Sequence, residues 1–283
     1  MTRIDLHCHS TASDGTLRPA ELVRAGAAAG LDVLAITDHD TTGGWAEAAA
    51  ARPAGMRLVR GAELSCRWHG PRWPIALHLL AYLFDPAEPR LAGDLARLRE
   101  DRAHRAEQIV DLLRADGVPI SWAEVHDYAA GGSVGRPHIA QALIRAGLVR
   151  TTDEAFRSGW LGGRYFVPKS DLDVFEGVRA VLAAGGVPVF AHPRATRRGP
   201  VVPDSLIEEL ADAGLFGLEV DHEDHSAAER AELRALADRL GMVVTGSSDF
   251  HGTHKTVRLG AFGTAPEVYE KIVSAASGVP VLG

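Results

Sequence analysis

Few cysteines, few aromatic residues and no long apolar run characterise this chain of 283 residues. Its two cysteines, Cys8 and Cys66, are too few for the disulfide framework of a small secreted protein. No apolar run reaches the roughly 18–20 residues that a membrane-spanning helix needs, and the N-terminus lacks the charged and apolar regions of a signal peptide. We therefore expect a cytoplasmic protein in which both cysteines are buried, reduced thiols.

An excess of positive charge is also absent. The formal net charge is −7, which argues against a broad nucleic-acid groove but allows a local basic pocket. We expect neither duplex DNA nor a membrane as a partner. Aromatic residues make up 6% of the chain and hydrophobic residues 46%, and the abundance of alanine and leucine favours helices packed on a sheet.

Short apolar runs alternate with amphipathic helical segments along most of the chain. We predict seven strands, over residues 3–7, 33–37, 57–61, 76–84, 187–191, 217–221 and 242–246. We predict helices that end before glycines, which favour a left-handed cap, over residues 19–29, 172–184, 204–213 and 227–240. This alternation predicts an α/β fold with a mostly parallel sheet or barrel.

Two segments interrupt the alternation. Residues 69–74 leave no room for a helix between the third and fourth strands, so we expect a hairpin there and an irregular barrel. Residues 89–166 contain no convincing strand, and we predict that they form a small helical domain inserted into a barrel domain of residues 1–88 and 167–283. The first helix of this insert ends at Gly117, and its predicted apolar face comprises Leu91, Leu95, Leu98, Ile109, Leu112 and Leu113.

Residues that can bind metal lie at the ends of the predicted strands. They are His7, His9, Asp14, His39, Glu63, His78, His192, Asp249 and His251. The carboxyl ends of barrel strands converge on one mouth, so we expect these side chains to meet in space. Imidazole and carboxylate in this proportion suit two or three divalent cations, and without cations the buried charge would be costly. The set therefore predicts metal-assisted hydrolysis.

Several of these segments resemble the sequence motifs of the PHP (polymerase and histidinol phosphatase) family. They are Asp5-Leu6-His7-Cys8-His9-Ser10, Ile36-Thr37-Asp38-His39, Gly61-x-Glu63, Ala191-His192-Pro193 and Ser248-Asp249-Phe250-His251. The resemblance covers residues 1 to about 85 and about 168 to 255, in the family's order. It implies a distorted seven-stranded β/α barrel with a site for two or three divalent metal ions, Mn²⁺, Fe²⁺ or Zn²⁺.

The resemblance also implies which residues hold each ion. The first ion would be bound by His7, His9, Glu63 and Asp249. The second would be bound by Glu63, His78 and His192, and the third by Asp14, His39 and His251. Glu63 can be shared because a carboxylate bridges two cations, whereas a neutral imidazole cannot. We interpret Asp38 and Asp40 as partners that orient the imidazoles.

The predicted helical insert resembles that of a bacterial subgroup acting on small nucleotide phosphates. This resemblance implies removal of the 3′-phosphate from a nucleoside 3′,5′-bisphosphate, or 5′–3′ trimming of short RNA. The nucleophile would be a water that bridges two cations as hydroxide and attacks phosphorus in line. A histidinol-phosphate phosphatase, a metal-dependent amidohydrolase and a non-catalytic metal-binding scaffold remain open as alternatives.

One candidate for substrate binding is a helix start in the insert. Arg136 and His138 flank Pro137, which favours the first position of a helix, where free backbone N–H groups attract anions. The Arg136 guanidinium adds a fork of donors that suits phosphate. The subgroup carries a similar Arg-x-His, so we predict that both residues contact substrate.

The loops after the predicted fifth and sixth strands supply further candidates. Arg194 and Arg197, with Arg198 beside them, are candidates for holding a second phosphate. His222 is a candidate general acid for the leaving oxygen, and His225 is a candidate substrate contact at the same mouth. Other histidines have no motif context and are expected at the surface or in caps: His69, His104, His126 and His254.

Overall fold

A curved sheet forms a nearly closed barrel in the computed structural model, which describes residues 2–129 and 131–283. The strands are β1 (Ile4–Asp5), β2 (Val33–Ile36), β3 (Arg57–His69), β4 (Pro74–Tyr82), β5 (Leu172–Asp173), β6 (Val187–Ala191), β7 (Gly217–Asp221) and β8 (Val243–Gly246). Their order is β1-β2-β3-β4-β6-β7-β8, and the short β5 pairs with β3 outside this path. The two ends meet where the N–H of His9 donates to the carbonyl of Phe250 at 2.9 Å. The predicted seven-stranded α/β barrel is confirmed.

The β3–β4 hairpin makes the barrel irregular, as predicted. Both β3–β4 and β4–β6 are antiparallel, whereas the pairs β1–β2, β2–β3, β6–β7 and β7–β8 are parallel. The predicted end of the third strand at residue 61 is wrong, because β3 pairs with β4 as far as His69. Ala62, Leu64 and Cys66 alternate with polar residues and lie in the barrel core. Glu63 is therefore inside a strand, not after one.

Helices cover the barrel and build the insert. They are α1 (Pro19–Ala28), α2 (Trp45–Ala51), α3 (Pro89–Ala115), α4 (Trp122–Tyr128), α5 (Arg136–Arg145), α6 (Thr152–Ala155), α7 (Val174–Ala183), α8 (Asp204–Asp212), α9 (Ala227–Leu240) and α10 (Pro266–Ala275). Helix α9 has the reciprocal Ser226–Glu229 capping bonds and ends at Gly241, whose φ of 67° is left-handed. The predicted start of a helix at residue 172 is wrong, because Leu172 and Asp173 form β5.

Helix α3 contributes to two separate hydrophobic cores. Leu91, Leu95 and Leu98 pack in the barrel core, whereas Ile109, Val110 and Leu113 pack in a second core with α4, α5 and α6. The first half of α3 is therefore anchored on the barrel, and its second half organises the insert. Leu112 does not belong to the apolar face as predicted, because 45% of it is exposed.

Neither cysteine forms a disulfide, and both are buried, as predicted. Burial raises the pKa of the Cys8 and Cys66 thiols well above the ordinary value, so neither is a ready nucleophile. Within the described residues, the helices include none with the length and apolarity that crossing a membrane requires.

Adjacent leucines of α3 test the second core. Leu113→Ala removes a fully buried side chain and should lower the free energy of unfolding by about 2–5 kcal/mol. Leu112→Ala, one residue earlier, removes an exposed side chain and should change it by no more than about 0.5 kcal/mol. Urea unfolding followed by circular dichroism measures both. Equal losses in the two variants would contradict the assignment of the helix faces.

Candidate active site

All nine candidate metal ligands come together at one end of the barrel. Their ligand atoms form three overlapping groups, and within each group the atoms lie within 4.8 Å of one another. The groups are His7, His9, Glu63 and Asp249; His9, Asp14, His39 and His251; and His39, Glu63 and His78. His192 joins them through Nε2, which is 3.0 Å from Glu63 Oε1. Residues from β3, β4 and the loops after four other strands thus share one compact centre.

Glu63 lies in the middle of this centre and is almost completely buried. Ring nitrogens of five histidines lie between 2.7 and 3.3 Å from its carboxylate oxygens: His7, His9, His39, His78 and His192. Although burial favours the neutral acid, His7, His78 and His39 hold the pKa of Glu63 well below its ordinary value. A single ionised carboxylate therefore faces imidazoles from every side of the barrel mouth.

Two aspartates complete the set on either side of Glu63. Asp249 Oδ1 lies 3.4 Å from ring nitrogens of His7, His9 and His251. Asp14 Oδ1 lies 3.4 Å from His251 Nε2, and Asp14 Oδ2 lies 3.7 Å from His39 Nε2. These distances place the three carboxylates among shared imidazoles.

The donor set fits divalent cations. His7 Nε2 and His9 Nε2 are 3.0 Å apart, and both also face Glu63. His39 Nδ1 is buried and makes no hydrogen bond within the described residues. Neutral imidazoles cannot satisfy these facing lone pairs with one another, whereas a cation can accept all of them. The residues would therefore hold divalent metal ions, which the buried carboxylates would help to neutralise.

Glu219 supports the centre from β7 and was not among the predicted site residues. His7 Nδ1 donates to Glu219 Oε1 at 2.9 Å, and the backbone N–H of His192 donates to Oε2 at 2.9 Å. Although burial opposes it, His7 lowers the pKa of Glu219 to about 2, so the carboxylate is an acceptor only. The bond from His7 Nδ1 to Glu219 fixes the tautomer of His7 and turns its Nε2 towards the centre. Side chains alternate between the two faces of β7, and this alternation is the sequence signal that could have identified Glu219.

Asp38 and Asp40 make no hydrogen bond with an imidazole among the described residues, contrary to the prediction that they orient the imidazoles. Asp38 instead accepts from Ser10 N, Ser10 Oγ and Ser13 Oγ at 2.7 Å each, so it shapes the loop that carries Asp14. Asp40 accepts from Ser65 N at 2.7 Å and pairs with Arg102 of the insert at 2.5 Å. The prediction was wrong because these side chains turn towards neighbouring loops and strands.

The backbone is strained at the centre. Asp40, His192 and Asp249 have φ values of 55°, 33° and 51°, a left-handed region that non-glycine residues rarely adopt. Such conformations persist only where the surrounding structure enforces them, and they cluster at functional sites. Two of the three residues are candidate ligands.

A cationic cavity of about 140 Å³ adjoins the centre, between the barrel and the insert. Its barrel side includes Asp14, His39, His78 and Lys169, and its other side includes Arg102, Arg105 and Arg136. Burial, reinforced by Arg136 and Arg102, lowers the pKa of Arg105 to about 10. Positive charge is therefore concentrated here, and an anion would relieve the repulsion. We call this space the arginine pocket.

The two insert residues predicted to bind substrate lie at the arginine pocket or beside it. Arg136 lines the pocket, with its Cζ 5.0 Å from the centre of the Phe156 ring. His138 is buried, and its Nδ1 accepts from Gly135 N at 3.0 Å, which closes the start of α5. Arg102 and Arg105 were not predicted, because the sequence does not reveal which residues of a long helix turn towards a cavity. Lys169, which precedes β5, was not predicted either.

The candidates after β6 and β7 have different surroundings. Arg194 pairs with Asp204 and donates to Val202 O at 3.0 Å, whereas Arg197 is exposed. Both ring nitrogens of His225 bond to backbone atoms, Nδ1 to Val220 O at 2.8 Å and Nε2 to the N–H of Arg194 at 3.1 Å. These contacts direct Arg194 and His225 away from a substrate and towards the loop itself.

His222 points at the centre. Its Nδ1 accepts from Asp224 N at 3.0 Å, so the proton is on Nε2, which donates to Asp249 Oδ2 at 3.2 Å. The side chain is fully buried beside a candidate ligand. The role of His222 as a general acid remains a prediction.

The histidines without motif context divide into two kinds. His69, His104 and His126 are exposed, as predicted. His254 instead links the barrel to the insert: its Nδ1 donates to Asp14 O at 3.0 Å, and its Nε2 accepts from Gln141 at 2.7 Å. The expectation of a surface role for His254 is wrong.

The fold and the centre together define a metal-dependent hydrolase, and comparison with known proteins identifies its family. A family model described as "PHP domain" matches residues 5–115. The 3′,5′-nucleoside bisphosphate phosphatase of Chromobacterium violaceum is 35% identical over 259 residues, covering 89% of this chain and 88% of that protein. The chain belongs to the PHP domain family, and it is a metal-dependent phosphoesterase.

Other relatives act on other phosphate esters. The 5′-3′ exoribonuclease of Haemophilus influenzae is 34% identical, with 91% of this chain and 93% of that protein covered. The phosphoribosyl 1,2-cyclic phosphate 1,2-diphosphodiesterase of Eggerthella lenta is 31% identical, with 93% and 97% covered. The crystal structure of a candidate metal-dependent phosphoesterase from Bifidobacterium adolescentis superposes on this chain with a TM-score of 0.92. The two chains are 34% identical, and the superposition covers 98% of this chain and 97% of the other.

The role of Glu219 can be tested by metal binding. Glu219→Gln keeps the shape but weakens the acceptor that orients His7, so the affinity for Mn²⁺ should fall about 10–100-fold. Isothermal titration calorimetry of the metal-free protein measures this affinity. Glu232→Gln, which removes the same charge from an exposed position of α9, should leave it unchanged. Equal affinities in the wild type and Glu219→Gln would remove Glu219 from the support of the centre.

Proposed function

We propose that the protein hydrolyses a phosphomonoester of a small nucleotide, most directly the 3′-phosphate of a nucleoside 3′,5′-bisphosphate. The proposal includes two or three divalent cations, Mn²⁺, Fe²⁺ or Zn²⁺, held by the nine ligands. One observation carries it: the arginine pocket opens on the imidazole–carboxylate centre and shares Asp14, His39 and His78 with it. A substrate with two phosphates can place one at the centre and the other in the pocket.

Each part of the site has a task in this reaction. Bound divalent cations supply an activated water and neutralise charge on the phosphoryl oxygens. Arg136 and Arg105 hold the second phosphate, because guanidinium groups bind phosphate through paired N–H donors. His222, whose Nε2 lies 3.2 Å from Asp249 Oδ2, is our candidate for protonating the leaving oxygen, which requires that the imidazole first gain a second proton.

The relative from C. violaceum supports this substrate, since it is named for nucleoside 3′,5′-bisphosphates. A pocket with several buried or half-buried cationic side chains also favours a substrate with a second anionic group over histidinol phosphate, which has one phosphate and a cationic amine. An amide substrate would leave Arg105 and Arg136, which pair with no carboxylate among the described residues, without an anionic partner. Both alternatives are therefore less well supported than a bisphosphate.

Short RNA is the second candidate substrate. A larger cleft of about 620 Å³ lies between the barrel and the insert and is lined in part by Arg99, Trp122 and His126. Trp122 offers a ring on which a base could stack and Arg99 a cation for the backbone, while Glu47 and Glu100 line the same cleft. The exoribonuclease relatives are consistent with this use.

A substrate panel decides between these functions. Purified protein loaded with Mn²⁺ should release inorganic phosphate from adenosine 3′,5′-bisphosphate with a kcat/KM at least about tenfold above that for histidinol phosphate. Short 5′-phosphorylated RNA and phosphoribosyl 1,2-cyclic phosphate complete the panel, with an amide substrate included. Faster turnover of RNA would favour the second candidate, and turnover of the amide alone would overturn phosphoester hydrolysis.

Arg136 offers a test of how the second phosphate is bound. Loss of a charged hydrogen bond costs about 1.5–3 kcal/mol, so Arg136→Ala should lower kcat/KM for adenosine 3′,5′-bisphosphate about 10–100-fold. Adenosine 3′-monophosphate lacks the second phosphate, and its hydrolysis should be almost unaffected. Arg150→Ala is the control, because that side chain is 94% exposed. Equal effects of Arg136→Ala on both substrates would contradict binding of the second phosphate.

A further inference from the structure

Arg198 reaches the metal centre and is fixed there by two carboxylates. It lies at the end of the 3₁₀ turn Thr196–Arg198, in the loop after β6. Its Nε donates to Asp224 Oδ2 at 2.7 Å, and one terminal nitrogen, Nη2, donates to Asp249 Oδ2 at 2.7 Å. The other terminal nitrogen, Nη1, lies 3.2 Å from His192 Nε2. All three nitrogens of the guanidinium are therefore in contact with the centre or its support.

The contact with His192 is the informative one. His192 Nε2 lies 3.2 Å from the Arg198 donor and 3.0 Å from the acceptor Glu63 Oε1. A ring nitrogen carries either a proton or a lone pair, so it cannot satisfy both neighbours at once. A divalent cation between His192 and Glu63 would use the lone pair of the nitrogen. Nη1 of Arg198 would then keep an N–H donor with no acceptor on His192.

We propose that Arg198 is a phosphate-binding residue of this centre, held by Asp224 and Asp249 so that Nη1 donates to an oxygen of the phosphoryl group under attack. The inference rests on the proposed phosphate hydrolysis and assigns the group that contacts the reacting phosphate. It separates this contact from the arginine pocket, which lies on the insert side and would hold the other phosphate.

The two oxygens of Asp249 have different partners, which lets Arg198 stay in place. Oδ1 faces the imidazoles of His7, His9 and His251 and is available to a cation. Oδ2 instead pairs with Arg198 at 2.7 Å, Lys255 at 2.5 Å and His222 at 3.2 Å. Binding of a cation at Oδ1 therefore does not require the guanidinium to leave. A donor fixed in advance stabilises developing charge without a cost of reorganisation.

The neighbouring arginines are differently placed. Arg194 is committed to Asp204 and Val202 O, and Arg197 is exposed on the turn. The side chain of Arg198 is 35% exposed, so it is reachable from solvent while its Nη1 faces the centre. Among these three arginines, Arg198 is the one in direct contact with candidate metal ligands.

The affinity of the Mn²⁺-loaded protein for inorganic phosphate tests the proposal without turnover. Arg198→Met should weaken phosphate binding at least about tenfold in isothermal titration calorimetry, with the number of bound Mn²⁺ ions unchanged. Arg198→Lys should lose most of the binding as well, because the three donors of an ammonium leave a single nitrogen and cannot reach Asp224, Asp249 and a phosphate from the separate positions that the guanidinium nitrogens occupy. Arg150→Met, which removes the same charge far from the centre at a side chain that is 94% exposed, should bind phosphate like the wild type.

Several results would overturn the proposal. Wild-type phosphate affinity in Arg198→Met would do so, and full recovery in Arg198→Lys would show that charge alone matters. A lower Mn²⁺ stoichiometry in Arg198→Met would mean that Arg198 acts on the ligands, not on the anion. If Arg197→Met weakened phosphate binding more than Arg198→Met, the phosphate contact would belong to Arg197 and not to Arg198. If the wild type hydrolyses none of the nucleotides yet binds phosphate through Arg198, the substrate is wrong and this inference stands.

Discussion

The buried carboxylate of Glu63 is the constraint on which the rest of this site depends. Five imidazoles point at it, and a carboxylate in so enclosed a position is stable only when positive charge compensates it. The antiparallel β3–β4 hairpin places Glu63 and His78 opposite the parallel strands that supply the other ligands. The irregularity of the barrel thus allows the two carboxylate oxygens of Glu63 to contact histidines from several strands and loops.

The insert is attached to this centre by the helix that also anchors it to the barrel. The first half of α3 packs in the barrel core, and the following turns carry Arg102 and Arg105 to the arginine pocket. Arg102 also bonds to Asp40 and Ser65, which belong to the barrel. A helix shared by two cores therefore fixes Arg102 and Arg105 relative to the candidate metal ligands.

The sequence predicted the barrel and the convergence of the nine candidate ligands. Seven of them follow the ends of strands, which meet wherever the strands lie in the chain, whereas Glu63 and His78 lie inside β3 and β4 and join the centre through the hairpin. It could not predict contacts that depend on the paths of irregular loops. The sequence does not distinguish Arg194, Arg197 and Arg198 from one another. The path of the loop after β6 is what brings Arg198 to His192. Likewise, nothing in the composition of α3 shows that Arg102 faces a cavity. Glu219 was visible at a strand end, but its bond to His7 depends on the register of β7.

Anomalous X-ray diffraction from crystals grown with Mn²⁺ tests the central claim most directly. Compensation of Glu63 by cations predicts two or three anomalous peaks among the nine ligands, with at least one within coordination distance of a Glu63 oxygen. A map with Mn²⁺ in excess and no peak beside Glu63 would contradict the account, since the buried carboxylate would then be compensated by histidines alone.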